Sequence, residues 1–158
     1  MKRLTPLSHY WRGATLGLSP IAGWLAVDPA RAGLPALLLF CAVTTWVAAF
    51  DIYYALQDME IDRKTGLHSL PADWGAETAL RFAGFSHALT FVFLLLTGCA
   101  AGLGWPWYAV CLAIGGILFW EHRLVKPDDL SKINMAFFTL NGVVSFAMLL
   151  GIILGLYF

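Results

Sequence analysis

Long uncharged stretches alternate with short polar ones along this chain, and their lengths set the first expectation. Phe82 to Trp120 is 39 consecutive residues without Asp, Glu, Lys or Arg; Ile133 to Phe158 gives another 26, and Ala32 to Phe50 another 19. About 20 apolar residues cross the hydrocarbon core of a bilayer as a helix, so these stretches predict membrane spans. Glycine and proline supply the breaks through their backbone restrictions. Five helices are expected. The first runs roughly from Ser8 to Val27, with Pro20 inside and Pro29 just beyond, and the second from about Gly33 to Asp58 or a little further. The third covers Ala76 to Leu103, the fourth Trp107 to Arg123 after a Gly104-Trp105-Pro106 break, and the fifth Leu130 to Tyr157. The fold class is therefore all-α, a polytopic transmembrane helical bundle in a lipid bilayer.

Composition strengthens this picture. Of 158 residues, 59% are hydrophobic and 13% charged, against about 25% charged in an ordinary soluble domain. Lys2 and Arg3 are followed by polar and bulky residues through Arg12, which is not the pattern of a cleavable secretory signal. Cys41, Cys99 and Cys111 lie singly in apolar surroundings and read as small buried hydrophobes, not as disulfides or a zinc site. No basic patch with interleaved aromatics is present, so nucleic acid is not an expected partner.

Charge placement gives an orientation. With spans alternating, one side receives Lys2, Arg3, Arg12, Arg63, Lys64, Arg81, Arg123, Lys126 and Lys132, and the other only Arg31. The basic side faces the cytoplasm by the positive-inside rule, which puts the N-terminus inside. Nine of the ten acidic residues follow the same partition, Asp28 being the exception. Acidic residues do not drive topology, so a polar site on the cytoplasmic face would explain this second asymmetry.

The acids concentrate after the second helix. At about 100° per residue, Asp58 lies roughly 20° from Asp51, and Asp62 roughly 20° to the other side. Three carboxylates then share one stripe, with Tyr54 and Ala55 on its flanks. Like charges at such spacing repel and need a compensating positive charge. Magnesium suits the arrangement, since it takes oxygen ligands and binds through one or two carboxylates plus substrate phosphates. Arg63, Lys64, Lys2 and Arg3 could pair with an anionic substrate. A helix end reaching water is the competing explanation for Glu60, Arg63 and Asp73; it is weaker for Asp51, which abuts the apolar run ending at Phe50.

The pattern Asp51-x-x-Tyr54-Ala55-x-x-Asp58-x-x-x-Asp62-x-x-x-Gly66-x-x-Ser69 resembles the second aspartate-rich motif of UbiA-type intramembrane prenyltransferases. Lys2-Arg3-Leu4-Thr5 and Gly23-Trp24-Leu25-Ala26 resemble the start and end of that family's fifth helix. Trp120-Glu121-His122-Arg123 through Pro127-Asp128-Asp129-Leu130-Ser131, with Asn134 to Gly142 beyond, is similar to the branch that acts on 4-hydroxybenzoate and related aromatic acids. The resemblance covers the whole chain, matched to helices five to nine of a nine-helix fold. The family's first motif, an Asn-Asp-x-x-Asp type element, does not occur in the sequence, and an N-terminal half carrying four helices is the expected missing partner.

What the resemblance implies is transfer of a polyprenyl group from an allylic diphosphate to an aromatic acid in quinone biosynthesis, with Mg2+ as cofactor, in the cytoplasmic membrane. Asp58 and Asp62 would carry the metal. Asp51 and Tyr54 would face the substrates, and Lys2, Arg3 and Lys64 would contact the diphosphate. A catalytically silent subunit is the alternative, and a small transporter with an acidic cation site a third reading. Other polar residues stay open. His87 reads as a hydrogen-bonded packing histidine more readily than as a catalytic base. Glu121, His122 and Arg123 suit either a solvated helix end or an acceptor-carboxylate site. Asn134 and Asn141, seven apart, suit helix–helix hydrogen bonding as well as substrate binding.

Overall fold

The computed structural model describes residues 1–126, 133 and 135–158. Five long helices dominate: α1 (Ser8–Val27), α2 (Leu34–Ala55), α5 (Ala76–Ala101), α6 (Trp105–Leu124) and α7 (Asn141–Tyr157). Two short ones, α3 (Met59–Thr65) and α4 (Leu70–Trp74), lie between α2 and α5. A π-helical turn, Met135–Leu140, leads into α7. Among the described residues three segments are long and apolar enough to cross a membrane, namely Leu34–Ala55, Ala76–Ala101 and Phe138–Tyr157. Helices α1 and α6 have 20 residues each, about 30 Å of rise, but carry polar groups near one end. The chain is an all-α membrane protein.

The principal difference from expectation falls after α2. Leu56, Gln57 and Asp58 hydrogen-bond three residues back, to the carbonyls of Tyr53, Tyr54 and Ala55. This tightened turn closes α2 at Ala55, short of Asp58, and the chain restarts as α3. The three aspartates therefore do not lie on one uninterrupted helix. The fifth helix is regular only from Asn141, and the expected start at Leu130, with Asn134 and 127–132, lies outside the described residues.

Helix α2 sits between α1 and α5 and touches both extensively. Its contact with α1 is close because two glycines one turn apart face it. A Cβ at Gly13 would strike the Thr44 carbonyl oxygen, and one at Gly17 would lie 2.9 Å from the Phe40 carbonyl. Small residues at such spacing let helix backbones approach.

Helices α2, α5, α6 and α7 enclose an apolar core of Leu39, Ala42, Leu94, Trp107, Ile114, Leu118 and Val144. The Trp107 indole N–H donates to the Leu94 carbonyl (3.0 Å), satisfying a polar group that burial would otherwise strand. Across the bundle, Trp46 Nε1 donates to Asn141 Oδ1 (2.8 Å), and Thr45 and Thr90 share a hydroxyl bond (2.9 Å). The expectation of helix–helix hydrogen bonding at Asn141 matches this contact. A second cluster, with Ile52, Tyr53, Leu56, Leu70, Leu80 and Val125, underlies the end that carries the acidic residues.

Candidate functional site at the aspartate junction

The aspartate motif folds as a small knot of local structures, and most of its residues have a mechanical task. Gly66 ends α3 with φ +66°, a conformation open to glycine at no steric cost. Ser69 caps α4, its hydroxyl accepting from the Ala72 N–H at 3.4 Å. Arg63 stitches the helices together, Nε donating to the Ala72 carbonyl at 2.9 Å, while His68 Nδ1 and Asp73 Oδ2 stand 2.9 Å apart. Arg63 and Asp73 are both exposed, as expected of charges where a helix end reaches water, and each also has a local partner.

Asp51 and Asp62 are both buried, and each receives positive or donor groups from the start of the chain. Lys2 Nζ lies 2.8 Å and 3.2 Å from the two Asp62 oxygens. This contact is supported by the Lys2 carbonyl, which accepts from the His68 N–H at 2.5 Å. Asp51 is gripped from both sides, by Arg12 Nη1 on Oδ1 (2.5 Å) and by His9 Nδ1 on Oδ2 (2.6 Å). His9 is completely buried, and its Nε2 accepts from the Leu70 N–H at 3.4 Å. A ring nitrogen that accepts carries no proton, so the hydrogen sits on Nδ1 and points at Asp51. One imidazole thereby ties α1, α2 and the start of α4 together.

The other expected residues lie around this pair. Asp58 is half-buried at the N-cap of α3, and its carbonyl accepts from the Asp62 N–H (2.8 Å), so the two carboxylates stand one turn apart. Tyr54 is 38% exposed, and Arg3 and Lys64 are exposed. A cavity of about 450 Å³ has Lys2, Ser8, Trp11, Arg12, Thr15 and Asp51 in its lining, and Tyr54, Asp58, Asp62, Arg3 and Lys64 are not among its described lining residues. The buried Ser8 hydroxyl has no hydrogen-bond partner among the described residues.

Sequence reasoning called for a positive charge against the acidic stripe but missed His9 and Arg12. The signal was present as a histidine and an arginine three residues apart in the first helix. Only the α1–α2 register reveals their common target. Among the described residues no three His, Cys, Asp or Glu side chains converge as a protein-only metal cage. The donor set at Asp58 and Asp62 is all oxygen, which fits a magnesium ion that also takes diphosphate oxygens.

Comparison with known proteins points the same way. The 4-hydroxybenzoate polyprenyltransferase of Arabidopsis thaliana mitochondria is 36% identical over 132 residues, 84% of this chain and 31% of that protein. The 4-hydroxybenzoate octaprenyltransferase of Pectobacterium carotovorum is 29% identical across 99% of this chain and 53% of its own length. In three dimensions the apo structure of a UbiA homolog from Aeropyrum pernix K1 superposes with a TM-score of 0.83 at 30% identity, covering 96% of this chain and 56% of that one. The chain thus spans about half the length, or less, of the relatives it matches. The UbiA prenyltransferase family model matches residues 1–156, nearly every residue from the Lys2 anchor to the last turn of α7, and the chain belongs to that family.

Proposed function

We propose that this chain forms one side of the active site of an intramembrane prenyltransferase that moves a polyprenyl group from an allylic diphosphate to an aromatic acid. The acceptor is 4-hydroxybenzoate-like or dihydroxynaphthoate-like, and the product enters quinone biosynthesis. The observation that carries this reading is the aspartate junction itself. Two buried carboxylates and a third half-buried one gather with Lys2, His9 and Arg12 at one end of an otherwise apolar bundle.

In this reading Asp58 and Asp62 would hold magnesium, which would supply positive charge to neutralise a departing diphosphate. Lys2, which pairs with Asp62, would also be placed to contact diphosphate oxygens, with Arg3 and Lys64 at the rim. Asp51 is fixed by Arg12 and His9 and orients the acceptor; Tyr54 contacts substrate from the same turn. Apolar helix walls keep water from the allylic cation. The junction faces the cytoplasm, as does the N-terminus, in the inner membrane. The domain is completed by a segment with four further helices and the first aspartate motif, which this sequence does not contain.

The test is prenyl transfer by the chain reconstituted with such an N-terminal half, magnesium and polyprenyl diphosphate. Asp58→Ala or Asp62→Ala is expected to lower transfer by at least about 1000-fold, the scale of losing a principal electrostatic contact to a developing charge. Wild-type turnover by either variant refutes the metal assignment.

A further inference from the structure

A second polar cluster lies on the opposite side of α2, away from the aspartates. Tyr53 projects from α2 toward α5 and α6, where its hydroxyl hydrogen-bonds His122 Nδ1 at 2.9 Å and its ring meets His87 edge-on, centroids 5.5 Å apart. His87 is 4% exposed and Glu121 is completely buried. The His87 Nε2 and Glu121 Oε2 atoms stand 4.0 Å apart, outside hydrogen-bond range. Neither nitrogen of His87 nor either carboxyl oxygen of Glu121 has a hydrogen-bond partner among the described residues. The Leu118 backbone lies near His87 without forming a bond of ordinary geometry. The hydrogen-bonded packing histidine expected from sequence is therefore not what α5 presents, and Glu121 is no solvated helix end.

Leaving a buried polar group unpaired is costly, and of these two residues His87 lines a cavity that could hold a partner for it. His87 and His122 line a cavity of about 390 Å³ between α5 and α6, with Phe91, Leu112, Gly116 and Phe119 among its walls. Leu112 and Phe119 are exposed, so the cavity opens along the apolar flank of the bundle. None of the residues described as lining it carries a fixed charge. The contents can be deduced from these features. A diphosphate or a carboxylate would find no charged group in the lining, the nearby Arg123 being exposed and stacked over the Phe119 ring, so an uncharged head group is favoured. A plain hydrocarbon chain would leave the imidazole unsatisfied. An uncharged ring with a hydroxyl or carbonyl oxygen meets both demands, lying against the Phe91 and Phe119 faces and bonding His87.

We propose that the α5–α6 cavity binds a neutral phenol or quinone ring bearing an alkyl or isoprenoid tail, taken from the bilayer, with His87 as its hydrogen-bonding residue. This goes beyond the prenyl-transfer reading and does not depend on it, since no residue of the aspartate junction lines the cavity.

The test is equilibrium binding of 2-geranylphenol to the full chain in lipid nanodiscs, compared with geranylbenzene, which lacks the oxygen. The phenol is expected to saturate one site, with geranylbenzene weaker by about tenfold, the equivalent of one hydrogen bond. His87→Leu should remove that difference and His87→Gln should keep most of it. Gly116→Leu is expected to abolish binding outright; a Cβ there meets nothing within 4 Å, so the substitution fills the cavity without disturbing the bundle. Asp58→Asn should leave phenol binding unchanged while affecting the prenyl-transfer reaction, which separates the two sites. Absence of saturable binding, equal affinity for the two probes, or binding that survives Gly116→Leu overturns the proposal.

Discussion

The two faces of α2 solve the problem of buried charge in opposite ways. On the α1 side Asp51 has Arg12 and His9, and the neighbouring Asp62 has Lys2. On the α5 side Glu121 and His87 lie buried with no described hydrogen bonds. A carboxylate that is fully partnered in the resting protein is part of the architecture until a stronger ligand displaces its partner. A carboxyl left without partners adds nothing to stability. It is retained, if at all, for what it contacts in another state. The contrast separates polar groups that hold the bundle together from polar groups that burden it.

Substitutions can break that contrast, and the largest effect is expected where the partnered side depends on helix approach. Gly13→Val should destabilise the protein by at least about 3 kcal/mol, because the added carbons fall on the α2 backbone and not on a movable side chain. Thermal unfolding in detergent checks this, and a stability near wild type would mean that α1 does not need its close seat. Next, Asp51→Ala strands His9 in the interior. The expected loss is about 2 kcal/mol, below the usual range for broken buried pairs because Arg12 is 58% exposed and screened by solvent. The same melting experiment applies, and an unchanged midpoint would show that the ion pair is idle.

The unpartnered side should respond with the reverse sign. Glu121→Leu is expected to leave stability unchanged or raise it by about 1 kcal/mol, since an unsatisfied carboxyl is exchanged for an apolar group of similar size. A clear drop in melting temperature would mean that Glu121 has a stabilising role and would erase the comparison. The smallest effect belongs to Arg81, whose contact with Glu77 spans 3.9 Å between side chains about four-fifths exposed. Arg81→Ala should produce no measurable change.

Much of the fold and part of the site are readable from residues alone, for identifiable reasons. The span boundaries at Gly33, Ala76 and Gly104 are marked by sharp changes in polarity or by backbone punctuation. Asp51, Asp58 and Asp62 stand out because charge beside a long apolar run is expensive. The turn at Leu56 to Asp58 was hidden. None of these residues is a helix breaker, and Leu56 is buried in the second core cluster, a contact that local sequence does not announce. His9 and Arg12 were hidden for a different cause. The acids announce a need for counter-ions, but only the docking of α1 on α2 decides which cations arrive. His87 and Glu121 are 34 positions apart, and nothing in either local pattern links them before α5 and α6 are paired.

The seat of Gly13 and Gly17 on α2 also fixes the register of the junction. A helix resting backbone to backbone has no lubricating layer of side chains, so it cannot slide like a piston. A shift of one residue is about 1.5 Å of travel, enough to carry a glycine off its carbonyl and wedge a larger neighbour into the gap. The register between Arg12, His9 and Asp51 is thus set like a vernier by two glycines seated on the α2 backbone.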